Sequence, residues 1–475
     1  MSSKALTNRR PEDEKLSFGR TLLYGLQHML TMYGSLIATP LVIAGAAGLS
    51  PAESGSLITA SLLMGGIATL IQSLGIPFFG SELPLVQGVS FAGVATMIAI
   101  INGGGGLPEI FGAVIVASAI GLVVAPFFAQ VVRFFPPVVT GTVITTIGLT
   151  LMPVAANWAM GGNSESTDYG SVDNIGLAGF TLLIVLLLSK AGTGIISRLS
   201  ILLAMVLGTI LALILGKTDF SGVGDGPAFA FPMPFAFGAP VFEIAGIVAM
   251  LIVVLVTLTE TTADILAVGQ IVDTKIDRKR IADGLRADMA SSIISPIFGS
   301  FTQTAFAQNV GLVAITGIKS RYAVAASGGL LVVLGLLPIL GRAVAAVPTP
   351  VIGGAAVVLF GTIVAAGIRT LGKVDYSNSV NFIVVAASIG FGMIPIVSPG
   401  FYDQFPGWFA IIFGSGISSA AILAITLNIL FNHVKIGTPS NPSVSARGAE
   451  HLAIDESEVA KLDGTGTPGR DTNSQ

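Results

Sequence analysis

The chain has 475 residues, of which 52% are hydrophobic and only 10% charged, and its net charge is −3. A globular domain is about 25% charged on average, so a soluble globular protein is excluded, and nothing in the balance invites nucleic acid. The absence of cysteine removes disulfides, thiolate chemistry and iron–sulfur clusters.

Residues 1–17 are polar and read as a cytoplasmic N-terminal segment, with no cleavable signal peptide. A bilayer span needs about 20 apolar residues. Candidate spans lie near 18–47, 52–75, 84–101, 108–131, 134–157, 174–190, 198–216, 241–269, 283–299, 304–318, 322–341, 346–368, 379–394 and 406–433. With the N-terminus inside and the fourteen spans alternating, all but Lys217 and Arg342 of the 23 Lys and Arg fall on the cytoplasmic side, among them Lys4, Arg9, Arg133 and the basic residues of the tail. That bias is the positive-inside pattern, and it places both termini in the cytoplasm. The acidic loop 158–173 then lies outside, and residues 435–475, rich in Ser, Thr, Gly and charge, read as a disordered cytoplasmic tail.

Two short motifs recur. Pro137-Val-Val-Thr-Gly141 is echoed by Pro350-Val-Ile-Gly-Gly354, and Gln87-Gly-Val-Ser-Phe91 takes the place of Gln308-Asn-Val-Gly-Leu312 in the second half. Seven spans between copies invert the second one, an architecture of secondary transporters with paired broken helices near the midplane. Leu83–Gln87 and Thr304–Gln308 suit short extended pieces, and Gly311 interrupts the helix pattern beside the second. Extended backbone at membrane depth needs a partner, and these two pieces can pair with each other. Around the second break Gln303, Thr304, Gln308, Asn309 and Thr316 form a polar patch in an apolar chain, which suits the edge of a neutral polar ring.

Three acids lie within apolar spans. Glu260 and Asp264, four residues apart, share a helix face, and two like charges in a dry place cannot both ionise cheaply, as a proton carrier requires. Asp264 and Asp288 can equally serve as hydrogen-bond acceptors between helices. His28, in the first span, titrates near neutral pH when unperturbed or simply bonds a neighbouring helix. Phe91 and Phe306 flank the two breaks, where a ring could stack on a flat ligand or merely pack. Glu82 reads as a solvated or capping residue at the inner rim. No metal-ligand cluster, P-loop or nucleophile elbow is present, so neither an enzyme nor a metal or organic cofactor is expected, the proton being the coupling ion.

Gln308-Asn-Val-Gly-Leu-Val-Ala-Ile-Thr-Gly317 resembles the signature of the nucleobase–ascorbate transporter family, the xanthine/uracil permease type. Gly284-Leu-Arg-Ala-Asp288, Glu260-Thr-Thr-Ala-Asp264, Leu26-Gln-His-Met-Leu30, Gln87–Phe91, Phe135–Val143 and Pro350–Gly354 are similar to further segments of that family, over about residues 18–434. The resemblance implies an all-α polytopic membrane protein of fourteen transmembrane segments in two inverted seven-helix repeats, with short antiparallel β-pieces in spans 3 and 10. It divides the chain into a core domain, 18–131 and 241–341, and a gate domain, 132–216 and 342–434. It also implies a homodimer in the lipid bilayer, with the core moving against the gate as an elevator.

By the same resemblance, Glu260 and Gln308 hydrogen-bond the base, Phe91 and backbone near Ala92 and Ala307 contact it, and Asn309 orders the motif; Phe306, beside the second break, is a further candidate contact. Asp288, Asp264 and His28 support the site and, with Glu260, proton coupling. Uracil carriers of the family tend to have Glu at the place of Gln308 and His at the place of Asp264. The expected function is a proton symporter for xanthine or uric acid in a bacterial inner membrane. Uracil transport by the same machinery is the alternative, and a sulfate-transporter-type anion carrier a distant one.

Overall fold

A computed structural model describes residues 10–128 and 134–433. Lys4, Arg9, Arg133 and the tail expected to be disordered lie outside the described residues. The described chain is built from helices α1 (Phe18–Ala46), α2 (Pro51–Leu74), α3 (Val94–Asn102), α4 (Leu107–Val124), α5 (Pro137–Ala159), α6 (Val172–Ala191), α7 (Ser200–Ile214), α8 (Ile244–Val272), α9 (Arg278–Ile294), α10 (Ala307–Thr316), α11 (Arg321–Gly335), α12 (Thr349–Leu371), α13 (Ser379–Val397) and α14 (Gly416–Asn428). Two three-residue strands, β1 (Gln87–Val89) and β2 (Gln303–Ala305), interrupt them. Eight of the helices are long and apolar enough to cross a membrane, or ten spans in all if each of two bent pairs counts as one.

Local sequence sets the helix ends. Ser50 and Glu53 form a capping box at the start of α2, with Pro51 in its first turn. Asp277 accepts from the Arg280 amide at 2.7 Å and caps α9. Asp273, at φ +64°, and Gly317, at φ +67°, end α8 and α10 in the left-handed conformation.

α2 lies against α11, α1 and β1, while α8 and α9 pack on α4 and β2. α5 lies against α12, α13 and α14, and α12 against α6. Small residues allow the closest approaches. A Cβ on Gly66 would stand 2.7 Å from the Gly328 carbonyl oxygen, and one on Gly328 2.9 Å from the Gly66 oxygen, so α2 and α11 meet backbone to backbone.

Several expectations shift. The extended pieces are 87–89 and 303–305 rather than 83–87 and 304–308, because Gln308 already lies in the first turn of α10. The strand glutamine that answers Gln87 is therefore Gln303, not Gln308. Gly311 does not break the helix; it lies inside α10, and the break ends at Phe306. Span 322–341 is bent by 81° between Gly335 and Pro338, where Pro338 cannot continue the backbone ladder. Span 406–433 is bent by 79° between Phe413 and Gly416. The span expected at 283–299 starts earlier, at Arg278, since Asp277 caps the helix there and Asp283 is paired with Lys279 and Arg286 within it. Glu82 is not simply solvated: its carboxylate pairs with Arg10, and its backbone sits at φ +54°.

The α2–α11 contact predicts that Gly66→Leu costs about 1–3 kcal/mol through overpacking. A lower unfolding midpoint of the purified protein, with Gly329→Leu as the control facing open space, measures it.

Candidate functional site

The two strands form one antiparallel ribbon, with Gln87 opposite Ala305, Gly88 opposite Thr304 and Val89 opposite Gln303. Backbone in a bilayer must satisfy its own polar groups. The ribbon is extended by Ser90 N–H to the Thr302 carbonyl, 2.9 Å, and by Phe306 N–H to the Val86 carbonyl, 3.1 Å. Three hydroxyls take the outward amides: Thr69 accepts from Gln87 at 2.9 Å, Ser292 from Gln303 at 2.8 Å and Thr261 from Ala305 at 3.3 Å. A Cβ on Gly88 would stand 2.5 Å from Leu36 Cδ2 and 2.6 Å from Phe306 Cζ, so a side chain there would have to displace both.

Asp288 is buried behind the ribbon. Its carboxylate accepts from the Thr261 hydroxyl at 2.5 Å and from the Gln72 amide at 3.3 Å. Thr261 spends its only proton on Asp288 and accepts from Ala305, so Thr304, 3.1 Å away, donates to it. Gln72 in turn accepts from the Ser81 amide at 3.0 Å. One aspartate thus joins α2, α8, α9 and β2.

A second chain of bonds crosses the ribbon's other end. Asn309 donates its amide to the Pro84 carbonyl at 2.7 Å, which turns its oxygen toward His28 Nδ1 at 2.8 Å. His28 therefore carries its proton on Nδ1, and its Nε2, fully buried, has no hydrogen-bond partner among the described residues.

Phe91 and Phe306 lie at the two ends where ribbon turns into helix. Their rings stack on each other, with centroids 6.2 Å apart and planes at 27°, and Phe360 of α12 meets Phe91 edge-on at 6.1 Å. A flat ligand sandwiched between two rings needs about 7 Å, twice the carbon contact distance. Phe91 and Phe306 are therefore not an open clamp; a ligand meets one ring or displaces the other.

Glu260 and Gln308 are both half-buried, and neither makes a side-chain hydrogen bond among the described residues. Glu260 lines a narrow gap between α8 and α5 with Phe135, Val139, Thr140 and Val256. The structure does not join Glu260 to Gln308 directly. Asp264, buried one turn on, feels both Glu260 and Asp288, and Arg369 of α12 only through space. None of the three acids has a Lys or Arg within ion-pair distance among the described residues. Ala92 is buried in the turn Phe91–Gly93, Ala307 is exposed at the start of α10, and Thr316 donates to the Leu312 carbonyl and accepts from the Ile318 amide.

Sequence reasoning named the acids and the signature but not their supports: Thr69, Gln72, Thr261 and Ser292. Their one signal was a hydroxyl or amide in an apolar span. Helical Ser and Thr so often bond their own backbone that the type alone does not single them out.

Interrupted segments that pair with each other inside a bundle of apolar helices define an integral membrane permease. Residues 19–401 match a family model described as a Permease family, of the xanthine/uracil type, and the chain belongs to it, within the nucleobase–ascorbate transporters. The chain is 38% identical to a xanthine permease of Bacillus subtilis over 87% of its length and 94% of that protein's. It is 39% identical to the uric acid transporter UacT of Escherichia coli over 89% of each. Its relatives are permeases, not enzymes. Among solved structures it resembles the transmembrane domain of the cyanobacterial bicarbonate transporter BicA, with TM-score 0.59, 16% identity and coverage of 84% of this chain and 99% of that one. It also resembles the murine anion transporter Slc26a9, with TM-score 0.61, 13% identity and coverage of 88% and 69%. These two likenesses concern the fold alone.

Thr261→Val keeps the shape but strands Asp288 and the Ala305 amide, at a cost of about 1–3 kcal/mol for buried groups left unpaired. Thr261→Ser retains the hydroxyl and should keep most of the stability. Comparing the unfolding midpoints of the two variants checks the assignment.

Proposed function

We propose that this chain is a proton-coupled symporter that imports a purine nucleobase, xanthine or uric acid. The observation that carries this reading is Gln308: a side-chain amide free of hydrogen bonds among the described residues, in the first turn of α10, beside Asn309, which is tied down on both sides. A neutral amide offers a donor and an acceptor together, the pattern on the edge of a purine dione, whereas an ionised Glu only accepts. The names of the relatives, a xanthine permease and a uric acid transporter, support the same substrates.

Glu260 is the proton-binding group in this account. It is half-buried, has no basic partner among the described residues, and stands where α8 meets α5. A charge brought into such a place is costly unless neutralised, so proton and base enter together. Ala92 and Ala307 backbone and one Phe ring contact the base, while His28, Asp264 and Asp288 hold the frame.

The carrier works as an elevator with fourteen spans. To the eight long helices and two bent pairs are added the three shorter apolar helices Phe91–Asn102, Ser200–Ile214 and Ala307–Thr316, and Arg278–Ile294. β1 and β2 begin 216 residues apart, as do Phe91 and Ala307 where the short helical pieces start, which supports two inverted repeats. The packing supports a core of α1–α4 with α8–α11 and a gate of α5–α7 with α12–α14. Arg10, Arg280 and Arg321 gather at one rim and Lys217 and Arg342 at the other, which supports a cytoplasmic N-terminus by the positive-inside rule. A homodimer in a bacterial inner membrane completes the reading.

Uptake of labelled xanthine into vesicles, competed with urate, uracil, guanine and ascorbate, tests the substrate. Xanthine or urate should compete best, and accumulation should collapse with a protonophore and in Glu260→Gln. Preferential competition by uracil, or full uphill uptake in Glu260→Gln, contradicts the reading.

A further inference from the structure

Residues Arg10–Asp13 precede α1 and carry none of the family signature, yet Glu12 among them is buried. Glu12 is fully buried, and one of its oxygens accepts from the Arg280 guanidinium and from the Thr274 hydroxyl, 3.1 Å away. Arg280, in the first turn of α9, is only 9% exposed. Its other donors also meet protein oxygens, one nitrogen facing the Thr274 hydroxyl at 3.3 Å and the Lys275 carbonyl at 3.5 Å. Nε donates to the Ser81 carbonyl at 2.6 Å, and the nitrogen that meets Glu12 also donates to the Glu82 carbonyl at 2.9 Å.

Those two carbonyls belong to the turn that delivers the chain into the ribbon. Glu82 adopts φ +54°, a conformation that a side-chain-bearing residue keeps only where its surroundings enforce it. Its carboxylate is held by Arg10, and its amide donates to the Gln72 carbonyl at 3.0 Å. Asp13 binds Arg321 at 2.7 Å, and Arg321 caps the last carbonyls of α2, Ser73 and Leu74, at 3.2 and 2.7 Å. Two residues beyond Glu82 stands Pro84, whose carbonyl fixes Asn309 beside Gln308. Arg10, Glu12 and Asp13 thus converge on the segment 73–84, between α2 and β1.

We propose that Glu12 is a positioning residue for the substrate site: it orients the Arg280 fork, which fixes the Ser81 and Glu82 carbonyls and so sets where the ribbon and the Asn309–Gln308 turn lie. The planar guanidinium is what the task needs. It reaches one carboxylate and two carbonyls in a fixed geometry, whereas a lysine offers a point charge on a flexible stem. Arg280→Lys preserves the charge pairing with Glu12 and removes the fork. A merely stabilising ion pair would survive that change; a positioning device would not.

The test rests on the purine reading for one arm and is independent of it for the other. In the first arm, uptake of labelled xanthine and urate is measured for the wild type, Arg280→Lys and Glu12→Gln. Arg280→Lys should raise KM about fivefold, the equivalent of one lost hydrogen bond, with the maximal rate within about twofold. Glu12→Gln should move in the same direction by less. The second arm is hydrogen–deuterium exchange of the purified full chain without substrate. Exchange should rise in 81–89 and 303–309 and stay unchanged in α5 and α12. The double variant Glu12→Met with Arg280→Met removes both charges together, which avoids a stranded buried ion, and should give the same local loosening. Unchanged exchange in both segments, or a rise spread evenly over the chain, overturns the proposal. Wild type that takes up neither base contradicts the purine reading and leaves the exchange arm standing.

Discussion

The three-rung pairing of Gln87–Val89 with Gln303–Ala305 is the constraint on which the rest of the structure depends. Each half of the chain interrupts a helix in the middle of an apolar bundle. Each interruption frees amides and carbonyls that lipid cannot satisfy. Pairing the two interruptions solves both problems at once and obliges the halves to fold together. It also places the starts of α3 and α10 on either side of the ribbon, so that Phe91 and Phe306 meet there.

The polar side chains around the ribbon follow from the same accounting. Three strand amides find no partner in so short a ladder, and Thr69, Ser292 and Thr261 supply hydroxyls for them. Thr261 can serve only because Asp288 takes its proton, and Asp288 is steadied by Gln72. On the other side, Asn309 completes its amide between Pro84 and His28. Of the titratable groups near the ribbon, Asp288 and His28 are thereby engaged in holding structure. Glu260 and the Gln308 amide are left without such engagement, and those two can turn to a ligand.

Much of this was legible in the sequence, for a physical reason. A polar cluster at 303–309 within an apolar chain has few stable explanations, and the Pro, Gly and Gln pattern at the breaks restricts them further. A break ahead of Phe91 and the acids of α8 and α9 were visible in that way, although the extended piece is 87–89 rather than 83–87. The register was not: taking Gln308 as the counterpart of Gln87 put the second strand too late, because the Gln-x-Val likeness outweighed the turn at Phe306. The supports were hidden for another reason. Thr261 reads as part of the Glu260 motif, and nothing in residues 10–13 announces that Glu12 is buried against Arg280, 268 positions away in the chain. Long-range ion pairs of that kind have no local periodicity to betray them.

The ribbon as one rigid unit that moves without opening is the central claim, and cross-linking across it is the most direct measurement. Gln87 and Ala305 face each other, the Gln87 side-chain amide makes no hydrogen bond among the described residues, and the sequence has no cysteine of its own. Gln87→Cys combined with Ala305→Cys, oxidised in membranes, should form a disulfide while uptake of the purine continues. A pair that fails to bond, or that bonds and stops transport, would contradict the account.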